Sequence, residues 1–178
     1  MNNRIVWPST FSDRFGSGMV FRQFAAGGSI YAVGFEEIET MADFTRKGIN
    51  VLSVHPAFRF PQSGVWGITF DEIDLTTMDF KGFQHVQHLG LAGGRILFNV
   101  ASVIYEHYNC CHAGAYVFSA ASDPYQLRRT DLLELYSRAL GIGGYQKSKL
   151  FTELFDGWQA YSDAATGGRG YVVTTEHY

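Results

Sequence analysis

Apolar and polar positions alternate with a period of two over much of the first ninety residues. The clearest case is Ser29–Glu37, in which Tyr31, Val33 and Phe35 fall on one face. A strand with this alternation is half buried in a sheet. The apolar runs of this region are Met19–Phe24, Ser29–Glu37, Ile49–Val54 and Val65–Phe70. Their pattern predicts an antiparallel meander, with Glu37–Lys47 as a short connecting helix.

The period changes to about four after Gly90, which predicts helices. In Arg95–Tyr108, apolar side chains recur at Ile96, Val100 and Ile104. Such a stripe is broad enough to lie across a sheet. We expect it to pack on the buried strand around Val117.

A second helix is predicted from its end signals. Asp123 is a suitable N-cap, Pro124 follows at the first helical position, and Gly141 closes the C-terminus. Glu134 and Arg138 have the i,i+4 spacing of a surface ion pair.

The remaining segments complete one domain. Ala115–Ala120 and Tyr171–Thr175 read as strands, and Ser148–Tyr161 reads as a third helix. The sequence therefore predicts an α+β fold, in which two or three helices pack on an antiparallel sheet of about five to seven strands. A length of 178 residues suits a single domain, 1–178.

The charge balance disfavours nucleic acid as a partner. Fourteen Lys and Arg oppose seventeen Asp and Glu, for a net charge of −3, whereas duplex binders carry a basic face. Two acidic clusters are present, Glu36, Glu37, Glu39 and Asp43, and Asp71, Glu72, Asp74 and Asp79. Each is either a solvated face or a protein-binding surface with charge complementarity.

Arg128 and Arg129 are the predicted partner-binding residues. They lie early in the second predicted helix, where the macrodipole disfavours cations. This cost is offset either by local pairing with Asp123 or Asp131, or by contact with an acidic partner or a phosphate.

The two cysteines, Cys110 and Cys111, are adjacent and therefore cannot form an ordinary disulfide. Free thiols and the lack of an apolar signal segment predict a cytoplasmic protein. No apolar stretch approaches the roughly 20 residues of a membrane span. His107 and His112 flank the cysteines, but the spacing fits no paired zinc motif, so we expect no metal.

One segment resembles the GCN5-related N-acetyltransferases. Gln87-His88-Leu89-Gly90-Leu91-Ala92 is similar to the Q/R-x-x-G-x-G/A signature of that family, whose loop and following helix hold the pyrophosphate of acetyl-CoA. The resemblance implies that Gln87, Gly90 and Ala92 bind this cofactor. The later Leu135–Gly141 is similar to the last helix of the family, which would make Tyr136 the proton donor.

A second resemblance covers about Val65 to Val173. The predicted strand Val117–Ala120 ends in the residues F-S-A, and the predicted helix from Arg128 to Arg138 has the pattern R…L-Y-x-R. Both motifs are similar to those of a group of small uncharacterised proteins of phages and bacterial mobile elements. This resemblance implies a small intracellular protein that acts on a host or sibling protein, and it implies no catalytic activity or cofactor.

Two functions follow from the sequence. The first is a non-enzymatic protein of phage or mobile-element type that binds another protein, favoured because no nucleophile elbow, P-loop or dinucleotide fingerprint is present. The second is an acetyl-CoA-dependent N-acyltransferase, with a toxin-like enzyme as one form of it, and it is favoured by Gln87–Ala92.

Overall fold

The structure, a computed structural model, describes residues 5–12, 18–81, 93–121 and 131–178. Its strands are β1 (Phe11–Ser12), β2 (Met19–Ala26), β3 (Ser29–Glu37), β4 (Val65–Asp74), β5 (Asp79–Phe80), β6 (Ala115–Ser119), β7 (Gln159–Ser162) and β8 (Gly170–Thr174). Its helices are α1 (Met41–Arg46), α2 (Val51–Val54), α3 (Gly93–Cys111), α4 (Leu132–Leu140) and α5 (Lys149–Leu154). The predicted α+β fold is confirmed. The predicted sheet is antiparallel with about five to seven strands; the described residues form eight strands, which are mostly antiparallel, but β4 and β6 pair in parallel.

Two predicted segments differ from the structure. Ile49–Val54 contains a short helix, α2, because the Asn50 side chain caps it by accepting a hydrogen bond from the Ser53 N–H at 3.3 Å. The predicted helix Ser148–Tyr161 ends at Leu154. The chain then turns and continues as β7, which pairs with β8.

Helix α4 is shorter than predicted. Asp131 is its N-cap: the backbone there is extended, with φ −67° and ψ 136°, and the carboxylate accepts a hydrogen bond from the backbone N–H two residues on at 2.9 Å. A residue with extended backbone cannot lie inside a helix, so the prediction of one continuous helix from Asp123 to Gly141 is wrong. Asp123 itself lies outside the described residues. Gly141 closes the helix in the left-handed region, and Glu134 and Arg138 form the predicted ion pair.

The chain forms two compact units, residues 1–36 with 69–112 and residues 37–68 with 113–178. Strand β4 begins in the second unit and continues into the first. In the first unit, β2 and β3 pair antiparallel from Met19 opposite Glu36 to Ala26 opposite Ser29. Gly27 has φ 59° and Gly28 has φ 84°. Positive φ at both turn residues matches the right-handed twist of a hairpin.

Helix α3 covers one face of the strands in the first unit. Ile96 is buried in a cluster with Ala26 and Tyr31, against which Val100 also packs. Val117, on which we expected this stripe to pack, is buried instead in the core of the second unit with Val65 and Val172. A broad apolar stripe specifies that a helix covers a sheet, but not which strands it covers.

In the second unit, β4, β6, β8 and β7 are neighbours in that order. Helices α1 and α2 pack on one face, where Phe44 and Val51 join a core with Val65, Val117 and Val172. Residues from α4 and the chain after α5 pack on β6 and β8, including two ring contacts, Tyr136 with Phe118 and Trp158 with Tyr116. The second unit is therefore a sheet covered on both faces.

The turn between β7 and β8 generates a stability prediction. The Oδ1 atom of Asp163 accepts the Gly170 N–H at 2.9 Å, and a methyl group at Gly168 would lie on the Asp163 carboxylate. We expect Gly168→Ala to lower the free energy of unfolding by about 1–3 kcal/mol, the usual cost of overpacking, as measured by urea denaturation.

Gly94→Ala is the matched control, because a methyl group there meets no atom within 4 Å. We expect it to leave the free energy of unfolding unchanged or to raise it by up to about 1 kcal/mol, since alanine favours helix. Equal stability of the two variants would contradict the conclusion that the Asp163 carboxylate, packed against Gly168, stabilises this turn.

Candidate functional site

Tyr136 packs within the second unit. Its ring meets the rings of Phe118 and Tyr171 edge-on, at centroid distances of 5.6 and 5.9 Å. The adjacent Ser137 donates to the Tyr171 hydroxyl at 2.9 Å, because that hydroxyl itself donates to the Leu133 carbonyl at 2.8 Å. Burial raises the pKa of Tyr171. The contacts around Tyr136 therefore orient its ring on the sheet by packing.

The other predicted site residues lie outside the described residues. These are Gln87, Gly90 and Ala92 of the predicted cofactor loop and the predicted partner-binding pair Arg128 and Arg129. Helix α3, which the cofactor-loop prediction requires directly after the loop, begins at Gly93. The roles of these five residues therefore stay predictions.

Arg169 binds both chain ends that flank residues 122–130. Its Nε donates to the Ala120 carbonyl and its Nη2 to the Ala121 carbonyl, each at 2.7 Å. The same guanidinium pairs with both carboxylate oxygens of Asp131, the N-cap of α4. The hydrogen bond to Asp131 raises the pKa of Arg169. The sequence pattern indicates no role for this arginine, because its partners are distant along the chain.

The His107–Cys111 pair lies on α3 in the first unit. The imidazole is fully buried, stacked on Phe35 at 3.9 Å and on Trp7 at 4.8 Å, and the Cys111 Sγ lies 3.4 Å from its Nδ1 atom. Burial lowers the pKa of His107 to about 3, so the ring is neutral at physiological pH. A neutral imidazole does not stabilise a thiolate as an imidazolium does.

The setting of the cysteines also disfavours nucleophilic chemistry. Both lie in the last turn of α3, where the macrodipole opposes a negative charge. Burial, and to a smaller extent Glu106, raise the pKa of Cys110. In the described parts of the chain, no three His, Cys, Asp or Glu side chains are grouped so that they could hold a metal ion.

The four residues of the predicted acidic cluster on β4 and β5 divide into two pairs. Asp71 and Glu72 are buried, and Lys81 bonds the Glu72 carboxylate at 2.7 Å. Asp74 and Asp79 lie directly opposite each other at the last pair of the β4–β5 hairpin. Only this second pair flanks an exposed part of the chain, the loop from 75 to 78.

This loop, which we call the hairpin tip (residues 74–79), exposes two large apolar side chains. Leu75 is 60% exposed and Met78 is 49% exposed. Met78 has φ 60°, in the left-handed region, which costs a residue with a side chain roughly 1–2 kcal/mol. Asn or Gly would occupy this position more cheaply. Sequence analysis missed these two residues, although apolar side chains inside a polar turn are a visible signal.

Hydrogen bonds hold the hairpin tip in one conformation. The Met78 N–H donates to the Asp74 carbonyl at 2.7 Å, and the Thr76 N–H donates to Asp74 Oδ1 at 2.7 Å. The backbone hydrogen bonds from Thr76 and then Thr77 lower the pKa of Asp74. The tip is thus an ordered loop with two exposed apolar side chains between two carboxyl groups.

Among the residues that the structure describes, no helix combines the length and the apolar character that a membrane span requires. We compared the chain with protein-family models, with curated proteins and with solved structures, and nothing in any of the three matches it. The function therefore has to be argued from the geometry of the described residues.

The burial of His107 predicts acid sensitivity. Its pKa is about 3 in the folded protein and 6.5 in the unfolded chain, so the unfolded state binds more protons between these two values. Stability from this group is fully present above pH 6.5 and falls as the pH drops towards 3, by at most about 1.4 kcal/mol per pH unit.

We expect His107→Phe, which keeps an aromatic ring in the stack, to flatten the dependence of unfolding free energy on pH across this range. Urea denaturation at several pH values measures the slope. Phe98→Leu, at a 53% exposed aromatic residue of the same helix, is the control and should keep the wild-type slope, since it changes no titratable group. An unchanged slope in His107→Phe would show that this imidazole is not responsible.

Proposed function

We propose that the protein binds another protein and that the hairpin tip is part of its contact surface. The observation that supports this most directly is the exposure of Leu75 and Met78 at an ordered tip. Protein interfaces concentrate large apolar side chains, methionine among them, at their centres. Covering an exposed apolar side chain with a partner makes the free energy of binding more favourable.

The backbone at Met78 supports the same proposal. A left-handed methionine that is half exposed contributes little to the stability of its own hairpin. Departures from local conformational preference are concentrated at functional positions. Binding would use the Met78 side chain, whereas the isolated fold would be served better by a smaller residue.

The resemblance to small phage and mobile-element proteins supports a partner in the cell. We place the protein in the cytoplasm, a proposal supported by Cys110 and Cys111, since neither is in a disulfide.

Arg128 and Arg129 are a second proposed contact. The guanidinium of Arg169 supports this, because it bonds Ala120 and Asp131, the described residues on the two sides of the segment that contains this pair.

The test is site-specific photocrosslinking in the cells that naturally encode this chain. A photoreactive amino acid replaces Leu75 in one variant and Leu52 in the control. Leu52 is 50% exposed, on α2 of the second unit, so the two positions match in side chain and exposure. We expect a discrete crosslinked protein from position 75 only. Crosslinks to no protein, or equally from both positions, would contradict the proposal.

Affinity for the protein crosslinked through position 75 then gives a quantitative check. We expect Leu75→Ser to weaken binding at least about tenfold, the loss of roughly 1.4 kcal/mol or more. Leu52→Ser should bind normally. Met78→Asn should also bind more weakly while raising the free energy of unfolding by up to about 1 kcal/mol, because asparagine tolerates the left-handed region. Calorimetry measures the first effect and urea denaturation the second.

A second candidate function is acetyl-CoA binding with acyl transfer. Strands β4 and β6 pair in parallel, Val65 opposite Ala115. The chain between them contains Gln87–Ala92, the predicted cofactor loop, which directly precedes α3 in the sequence. A loop that leads into a helix N-terminus between two parallel strands is a common arrangement for holding phosphate. Tyr136 lies on the next helix along the chain.

Acetyl-CoA added to the purified protein tests this candidate. Binding raises the melting temperature by mass action. We expect Gln87→Glu to remove that rise, because a carboxylate repels the pyrophosphate. Gln84→Glu, the same change outside the motif, is the control and should keep it. A melting temperature that does not respond to acetyl-CoA would contradict the candidate.

A further inference from the structure

We infer that the partner of the hairpin tip is a protein that presents an apolar pocket with lysine or arginine side chains at its rim. This inference rests on the proposed function and adds the chemistry of the partner to it. It starts from the exposed apolar pair, Leu75 and Met78, and from the charges on either side of that pair.

The charges beside the tip have the same sign. Asp74 and Asp79 are cross-strand neighbours in the register of the β4–β5 hairpin. Like charges directly opposite each other destabilise a strand pair. The hairpin therefore carries two carboxyl groups at a position where strand pairs generally favour neutral or oppositely charged side chains.

Asp74 is held in its charged form. Its Oδ1 atom accepts the Thr76 N–H at 2.7 Å and the Thr77 N–H at 3.4 Å, and these bonds lower its pKa. The same bonds order the loop, so the charge and the apolar side chains keep a constant relative position. A partner can recognise both together without first ordering the loop.

The nearby lysine is bound elsewhere. Lys81 Nζ lies 2.7 Å from Glu72 Oε1, and the Lys81 N–H donates to the Glu72 carbonyl at 2.9 Å. The positive charge of Lys81 also lowers the pKa of Asp74, but this is the smallest of the contributions to that pKa. The charge of Lys81 is therefore offset mainly by Glu72, and the tip remains acidic.

This acidity distinguishes between partner classes. A phosphatidylglycerol-type membrane surface and a nucleic acid backbone are both anionic, and both would repel Asp74 and Asp79 at contact distance. A protein pocket with cationic side chains at its rim attracts the same two groups while its apolar floor receives Leu75 and Met78. Such rim charges act mainly on the association rate and on its dependence on salt.

The experiment compares the wild type with the double variant Asp74→Asn/Asp79→Asn. Asparagine keeps an oxygen that can accept the Thr76 N–H, so the loop retains its hydrogen bond while both charges are removed. Asp156→Asn, at an exposed aspartate in the second unit, removes one charge away from the tip and is the control. The probe is the protein crosslinked through position 75, with stopped-flow or surface-based association rates measured at low and high salt.

We expect the double variant to associate about tenfold more slowly at low salt and to lose most of the salt dependence of the wild type. Its melting temperature should stay close to that of the wild type, because the loss of cross-strand repulsion offsets the weaker hydrogen bonds that a neutral side chain accepts from the Thr76 and Thr77 N–H groups. Asp156→Asn should associate like the wild type.

The other outcomes separate the two proposals. Association that depends on Leu75 but on neither salt nor the two aspartates would overturn this inference and leave the proposed function standing. Unchanged binding by Leu75→Ser would overturn the proposed function itself. Cosedimentation with phosphatidylglycerol vesicles that is lost in Leu75→Ser would show a membrane as the partner and overturn the inference.

Discussion

The parallel pairing of β4 with β6 is the constraint on which the path of the chain depends. Residues Val65–Gly67 lie beside Ala115–Val117 in the same direction, and a tight turn cannot join two parallel strands. The chain between them must leave the pair and return, and it uses that length for the rest of β4, for β5 and for the nineteen-residue helix α3. The hairpin tip and the His107–Cys111 pair both lie on this connection.

Two residues with side chains, Met78 and His112, adopt the left-handed region among those that the structure describes. Each donates its N–H to the carbonyl four residues back, His112 to Tyr108 and Met78 to Asp74, both at 2.7 Å. Such a bond commonly accompanies this conformation at the end of a helix or tight turn. What distinguishes Met78 is its apolar side chain, which is 49% exposed in the same loop as the exposed Leu75. The proposed interaction therefore depends on the exposed apolar pair of the tip.

The residues packed around a polar side chain decide which chemistry that side chain can perform. The spacing of His107 and Cys111 places them on one helix face, as a dyad would require. Their surroundings then remove the chemistry, because Phe35 and Trp7 enclose the imidazole and keep it neutral. Arg169 shows the reverse case, since a residue in a plain glycine-rich turn reaches two carbonyls and a helix N-cap.

The sequence by itself determined the local elements with strong periodicity, such as β3, α3 and the end of α4 at Gly141, because these depend on neighbours along the chain. Only the tertiary structure decided that α3 packs on β2 and β3, that Asp131 caps α4, and that Asp71 is buried while Asp79 is exposed. The physical reason is that an apolar stripe requires burial but does not specify which surface buries it. In the same way, a row of acidic residues specifies negative charge but not which of the carboxylates is exposed to solvent.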